Sequence, residues 1–298
     1  MANTEETDLF LSDDFLRGLD QLQILTRKRI NTPGPGSHLT WKSGGNLEFL
    51  DYRKYQPGDD LRYVDWNVYG RLDRLFIKLF QAEKDLVLTI LIDTSLSMNV
   101  GNPPKLVHAK KIAAALGYIG LANQDHVGVS AFNDSISFSK PSEKGLSTYL
   151  SLLGFLKKLI CLGQTDLSSV MESFSVASKQ QGILVIISDL LDPGGFEKGL
   201  RFINRKRTDV IVIQVLDKTE LAPKRKGHFN LVDIESGESE RLSLSDDLIE
   251  RYKKSMAERI KAANDFCTER GVSYTLAETN QRFEEFLTDF LASGTITV

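Results

Sequence analysis

Only two cysteines occur in 298 residues, Cys161 and Cys267, and they form no C-x-x-C pair. That excludes a disulfide scaffold and a cysteine-based zinc site, and idle thiols in a reducing compartment are expected. Long hydrophobic runs are also missing. The longest, Leu86–Ile92 and Ile183–Ile187, fall far short of the ~20 apolar residues a membrane-spanning helix needs. The chain has no excess of positive charge: 37 Lys and Arg face 40 Asp and Glu, for a net charge of -3, so no basic footprint for nucleic acid exists. The one tight basic cluster, Lys224, Arg225 and Lys226, reads as a solvated loop. The opening Met-Ala-Asn-Thr-Glu-Glu-Thr-Asp is acidic and polar, unlike a secretory signal. The expected setting is cytoplasmic, without direct membrane insertion.

Catalytic signatures are scarce as well. No G-x-x-x-x-G-K-[ST] loop and no G-x-S-x-G elbow occurs, and His38, His108, His126 and His228 sit in no H-E-x-x-H or triad-like setting.

What is present is an ordinary globular composition, 41% hydrophobic and 26% charged. Phe15, Leu19, Leu22 and Leu25 recur at helical spacing and predict an amphipathic helix over 9–30, with Ser12 as its cap. Pro33-Gly34-Pro35-Gly36 ends it. Glycines, aromatics and charges then mix without period, and Leu47–Tyr55 and Leu75–Phe80 read as short strands. From residue 85 apolar runs alternate with helical patterns. Strands are expected at Leu86–Ile92, Val127–Phe132, Ile183–Ile187, Val210–Leu216 and Val272–Ala277, with an edge partner at Ile136–Phe138. Helices are expected at Lys105–Leu121, Leu146–Leu159, Asp166–Lys179, Phe196–Asn204, Leu248–Arg270 and Arg282–Leu291, and a hairpin around Ser236-Gly237-Glu238. Runs apolar on every position suit strands buried on both faces of a parallel sheet. The expected fold class is α/β: a doubly wound, mostly parallel sheet with a small β-rich N-terminal extension. The expected divisions are a helix over 1–32, the extension over 33–82, and the α/β domain over 83–298 with a hairpin and long-helix insertion at about 218–270.

Ligands of open parallel sheets gather beyond the carboxyl ends of the strands. Asp93, Asn133 with Asp134, Asp189 and Asp217 follow buried runs there. Asp134 and Asp217 read as ordinary polar strand ends. Asp93 opens Asp93-Thr94-Ser95-Leu96-Ser97, a carboxylate and two hydroxyls at alternate positions in one loop. Hard cations such as magnesium take small oxygen ligands in an octahedral shell. The alternative is a strand-to-helix turn in which a serine caps the next helix.

Asp93-Thr-Ser-Leu-Ser97-Met98 resembles the metal-ion-dependent adhesion site of von Willebrand factor A-like domains. Thr165, in Gly163-Gln164-Thr165-Asp166, matches that site's later threonine, and Asp189, in Ile187-Ser188-Asp189, its later aspartate. The resemblance implies Mg2+ or Mn2+ held by Asp93, Ser95, Ser97, Thr165 and Asp189, with both aspartates often acting through water. Otherwise Thr165 merely caps the helix that follows it. Upstream, Glu48-Phe49 through Asp65-Trp66 carries E-F-x-x-x-R-x-Y-x-x-G-D-D-x-R-x-x-D-W, which resembles the bacterial and archaeal family called domain of unknown function 58. That resemblance covers roughly residues 10–220, and 218–298 match loosely. It implies a protein-binding module, an adaptor or assembly partner of a MoxR-type AAA+ ATPase and its client.

Within the block, Pro57-Gly58-Asp59 predicts a tight turn. Asp60, Arg62 and Asp65 are expected to form ion pairs around it, with Trp66 packed beneath; the other possibility is that Gly58-Asp59-Asp60 forms a recognition surface. The alternative function is a metal-dependent hydrolase acting on a phosphate ester. Phosphoryl transferases with a first-strand aspartate usually place a second acid two residues on, where this chain has Ser95, so no enzyme activity is expected.

Overall fold

In the computed structural model, the described residues are 47–82, 86–177, 182–192, 194–203, 208–223, 227–232, 234, 237 and 239–292. The helix expected over 9–30 lies outside them. Residues 47–82 and residues 86–292 belong to two separate compact units.

In the smaller unit, β1 (Leu47–Lys54) pairs antiparallel with β2 (Phe76–Ala82), with a bulge between Phe49 and Asp51. Gly58 takes φ of 103°, a conformation glycine adopts without strain. The turn is closed by Asp59, whose N–H donates to the Gln56 carbonyl and whose carboxylate accepts from Arg53 at 2.7 Å. Asp60 pairs with Arg62 at 2.6 Å. Asp65 caps a short helix, α1 (Trp66–Leu72), by accepting from the N–H groups of Asn67 and Val68. The Tyr52 hydroxyl and the Lys78 ammonium also donate to it, at 2.8 and 3.0 Å, and these two contacts hold its carboxyl down at about 2. The expected ion pairs are therefore present, although Asp65 finds its cation on β2. Trp66 corrects the expectation: it is 60% exposed, its ring edge-on to Tyr69. As the first residue of α1 it turns outward, while Val64 and Ile77 are buried.

The larger unit is built on a six-stranded sheet in the order β10-β7-β6-β3-β4-β5. Its strands are β3 (Val87–Asp93), β4 (His126–Phe132), β5 (Ile136–Lys144), β6 (Gly182–Ser188), β7 (Thr208–Leu216) and β10 (Ser273–Glu278). Every neighbouring pair is parallel except β4 with β5. Successive residues point to opposite faces, and both faces are dry. Ile90, Ile92, Val185, Ile187, Ile213 and Val215 join one apolar core, while Leu91, Leu184, Ile186 and Val212 join the other. The first core is covered by α2 (Lys105–Ala122), α3 (Tyr149–Lys158) and α8 (Phe283–Ala292). The second is covered by α4 (Leu167–Ala177), α5 (Phe196–Phe202) and α7 (Asp246–Glu269). The mostly parallel α/β architecture is thus the one the apolar runs predicted.

α2 is buried nearly all round rather than along one stripe, because the sheet covers one flank and α3 another. β5 runs six residues beyond the expected Phe138, to Lys144. β7 leads into a one-turn helix, α6 (Lys218–Leu221), then the hairpin of β8 (Gly227–Val232) and β9 (Ser239–Leu244), and then α7, capped by Ser245.

Candidate functional site

β3 has β4 on one side and β6 on the other, so successive crossovers leave the first strand in opposite directions. A crevice beyond the strand ends follows from that reversal. Asp93, the last residue of β3, sits there with no exposed surface. Its Oδ1 accepts from the Ser95 N–H at 2.9 Å, and its Oδ2 accepts from the Ser188 hydroxyl at 2.6 Å. The Ser95 and Ser97 hydroxyls lie 2.9 Å apart. The Thr165 hydroxyl lies 3.5 Å from both Asp93 carboxylate oxygens, longer than a good hydroxyl–carboxylate bond.

Main-chain bonds hold these segments together. The Leu162 N–H donates to the Thr94 carbonyl, the Leu96 N–H to the Gly163 carbonyl, and the Asp166 N–H to the Asn133 carbonyl. The capping role at α4 falls to Asp166, whose carboxylate accepts from the Ser169 N–H, while the Leu167 N–H donates to Asp192. Thr165 instead directs its hydroxyl at Asp93. Asp217 caps α6 in a capping box with Glu220 and accepts from Thr279, and Asp134 accepts from Ser135, so both act locally.

Asp189 is 1% exposed. The residue after it, Leu190, has φ of 55°, an uncommon left-handed conformation outside glycine and asparagine. This turn aims the Leu190 N–H at the Ser188 hydroxyl and the Leu191 N–H at Asp189 Oδ1. Asp189 Oδ2 accepts from Lys105 Nζ at 2.7 Å, and the same ammonium reaches Glu220 Oε1 at 2.6 Å. Burial opposes the Lys105 charge, but the carboxylates of Asp189 and Glu220 outweigh it and hold the lysine above its ordinary pKa. Burial also pushes the Asp93 carboxyl up, to about 7. The charge of Asp189 adds to that rise, and hydrogen bonds from Ser188 and Ser95 oppose it.

Ser95 and Thr165 thus lie at Asp93, Ser97 is joined to them through Ser95, and Asp189 acts on Asp93 electrostatically while hydrogen-bonded to Lys105. Lys105, Ser188 and Glu220 are the polar groups that motif reasoning missed. Lys105 had a visible signal: with Ala109, Ile112 and Leu116 it shares one helical face, and a cation on an apolar stripe demands a buried partner.

Among the described residues, no group of three or more His, Cys, Asp or Glu side chains is placed to hold a metal. The cluster offers two carboxylates and three hydroxyls, all hard oxygen donors. The 2.9 Å between the Ser95 and Ser97 oxygens is close to the edge of an octahedron, about 3.0 Å when each metal–oxygen bond is about 2.1 Å. The donor set therefore fits a small divalent cation.

Residues 51–262 match the model of a family described as a protein of unknown function, DUF58. The chain belongs to the DUF58 family. This DUF58 chain is 26% identical over 244 residues to an uncharacterized protein of Mycobacterium tuberculosis, covering 80% of this chain and 77% of the relative. Among solved structures it is similar to the conserved hypothetical protein BatB from Bacteroides thetaiotaomicron, with 16% identity and a TM-score of 0.42 over 70% of this chain and 98% of that one. It is also similar to a von Willebrand factor type A protein from Catenulispora acidiphila, with 12% identity and a TM-score of 0.40 over 72% of this chain and 43% of that one.

Proposed function

We propose that this DUF58 chain is a protein-binding module that holds Mg2+ or Mn2+ among Asp93, Ser95, Ser97, Thr165 and Asp189 and anchors a partner through it. The paired Ser95 and Ser97 hydroxyls and the Thr165 hydroxyl, in the same loop cluster as one fully buried carboxylate, support this most. A bound divalent ion would supply a positive centre able to accept an Asp or Glu carboxylate from another protein. Ser95, Ser97 and Thr165 would present neutral oxygens to it. Asp93 and Asp189 would supply charge from behind, since protein donors already engage the oxygens of both. The partner we propose, on the family resemblance, is a MoxR-type AAA+ ATPase or its client.

The test is partner affinity for the wild type, Asp93→Ala and Asp93→Asn, each with and without chelator. The alanine variant leaves the Ser95 N–H and the Ser188 hydroxyl without their acceptor, so the asparagine variant runs beside it as a milder change. Thermal melting reports the fold. The expected outcome is binding at least tenfold weaker in both variants and in chelator, restored by excess Mg2+ in the wild type alone. Unchanged binding in folded variants and in chelator overturns the proposal.

A further inference from the structure

Among the described residues Lys105 is the cation hydrogen-bonded within the cluster, and nothing of it reaches the surface. It opens α2, immediately after the loop that carries Ser95 and Ser97. Its ammonium bridges two acids from distant parts of the chain, Asp189 after β6 and Glu220 in α6. Both acids are otherwise committed. The second oxygen of Asp189 accepts from the Leu191 N–H at 3.1 Å, and the second oxygen of Glu220 accepts from the Asp217 N–H at 2.8 Å. The Asp189 backbone is held as well, its carbonyl accepting from Gln214 Nε2 at 2.8 Å, while Gln214 Oε1 accepts from the Tyr274 hydroxyl. Asp189 is therefore fixed in position and its charge is partly offset from within the chain.

The consequence for a cation is electrostatic. Of the two carboxylates in the cluster, only Asp93 lacks a cation of its own. An ammonium within hydrogen-bonding distance of Asp189 also repels any divalent ion at the hydroxyls, and repulsion is strong where water is excluded. An ion so placed carries more uncompensated charge than two free aspartates would leave it. Its hold on the chain is weaker, and its attraction for a carboxylate from outside is stronger.

We propose that Lys105 is a specificity-determining residue, a built-in cation that offsets the charge Asp189 lends the metal and leaves the ion more dependent on an outside carboxylate. Glu220 is the counterweight that keeps the ammonium in place and partly masks it. The inference rests on the proposed metal site.

The experiment is equilibrium titration of the full chain with Mn2+, read by electron paramagnetic resonance of the free ion, with metal-free melting as the fold control. Lys105→Met with Glu220→Gln removes one positive and one negative charge, so the net charge is unchanged while Asp189 is released. This double variant should bind Mn2+ at least tenfold more tightly than the wild type. Glu220→Gln alone keeps the lysine and unmasks it, and should bind Mn2+ at least threefold more weakly. A lysine that merely braces the fold would lower melting and leave both affinities near the wild-type value, which overturns the proposal. If the double variant does not fold, the single variant decides by the same criterion. Wild-type protein that binds Mn2+ no better than Asp93→Asn sinks the metal site itself, an outcome distinct from failure of the lysine's role.

Discussion

His108 shows what burial does to one titratable residue away from the candidate site. It lies on α2, 6% exposed, edge-on to the rings of Phe283 and Phe286, and its Nε2 has no hydrogen-bond partner. Burial, with a smaller contribution from the charge of Lys111, lowers its pKa from 6.5 to about 4. Between those values the unfolded chain binds a proton that the folded chain refuses, so this residue's contribution to stability falls as the pH drops through 6.5 and levels off near 4. The loss between pH 7.5 and pH 5 is about 2 kcal/mol. His108→Phe should remove that part of the acid sensitivity, measured as the difference between urea unfolding free energies at the two pH values in variant and wild type. An equal pH dependence in both would refute the account. Legibility in the sequence also differed residue by residue. Asp93, Ser95, Ser97 and Asp189 stood out because polar side chains just after apolar runs are easy to see, whereas Thr165 entered only through the resemblance to the adhesion-site motif. Lys105 was harder to read: its place on an apolar helical face was a signal, but its partners lie 84 and 115 positions away and a lysine at a helix start ordinarily faces water.

Among the elements, α5 depends on close approach to α4. A Cβ on Gly199 would lie 2.9 Å from the Leu167 carbonyl oxygen and 3.1 Å from Met171 Cγ. The backbone oxygen cannot swing aside, so overpacking, typically about 1–3 kcal/mol, outweighs the gain of ~1 kcal/mol that alanine brings to a helix interior. Gly199→Ala should therefore destabilise the chain by roughly 1 kcal/mol or more, seen as a lower urea midpoint with an unchanged slope. A raised midpoint would show that the two helices part without penalty. The buried strands could be read from sequence because both faces are apolar and polar residues interrupt the runs only singly, at Thr89, Ser130 and Gln214. β5 could be read only in part, since charges and Pro141 follow Phe138. An edge strand tolerates proline, and the ladder with β4 is irregular between Val127 and Val129, opposite the stretch that contains it. α1 escaped notice because seven residues are too few to show a helical period.

For the molecule as a whole, the question is binding against turnover. A carboxylate at the end of the first strand also begins many phosphoryl-transfer sites, but Ser95 occupies the position of their second acid. Asp93 and Asp189 both have their oxygens engaged by protein donors, and neither is offered as a free base or nucleophile. Wild-type protein with excess Mg2+ should release phosphate from p-nitrophenyl phosphate no faster than Asp93→Asn. Steady release that the variant abolishes would return the hydrolase to first place.

The border of the sheet at β5 has a consequence for life in a crowded solution. An open strand edge is a template on which another chain can add its own strand, the first step toward aggregates. Along this edge Pro141 supplies no N–H, and the neighbouring register is irregular. A second molecule therefore finds an interrupted row of donors along β5, in the same short stretch that hid the strand from a pattern search.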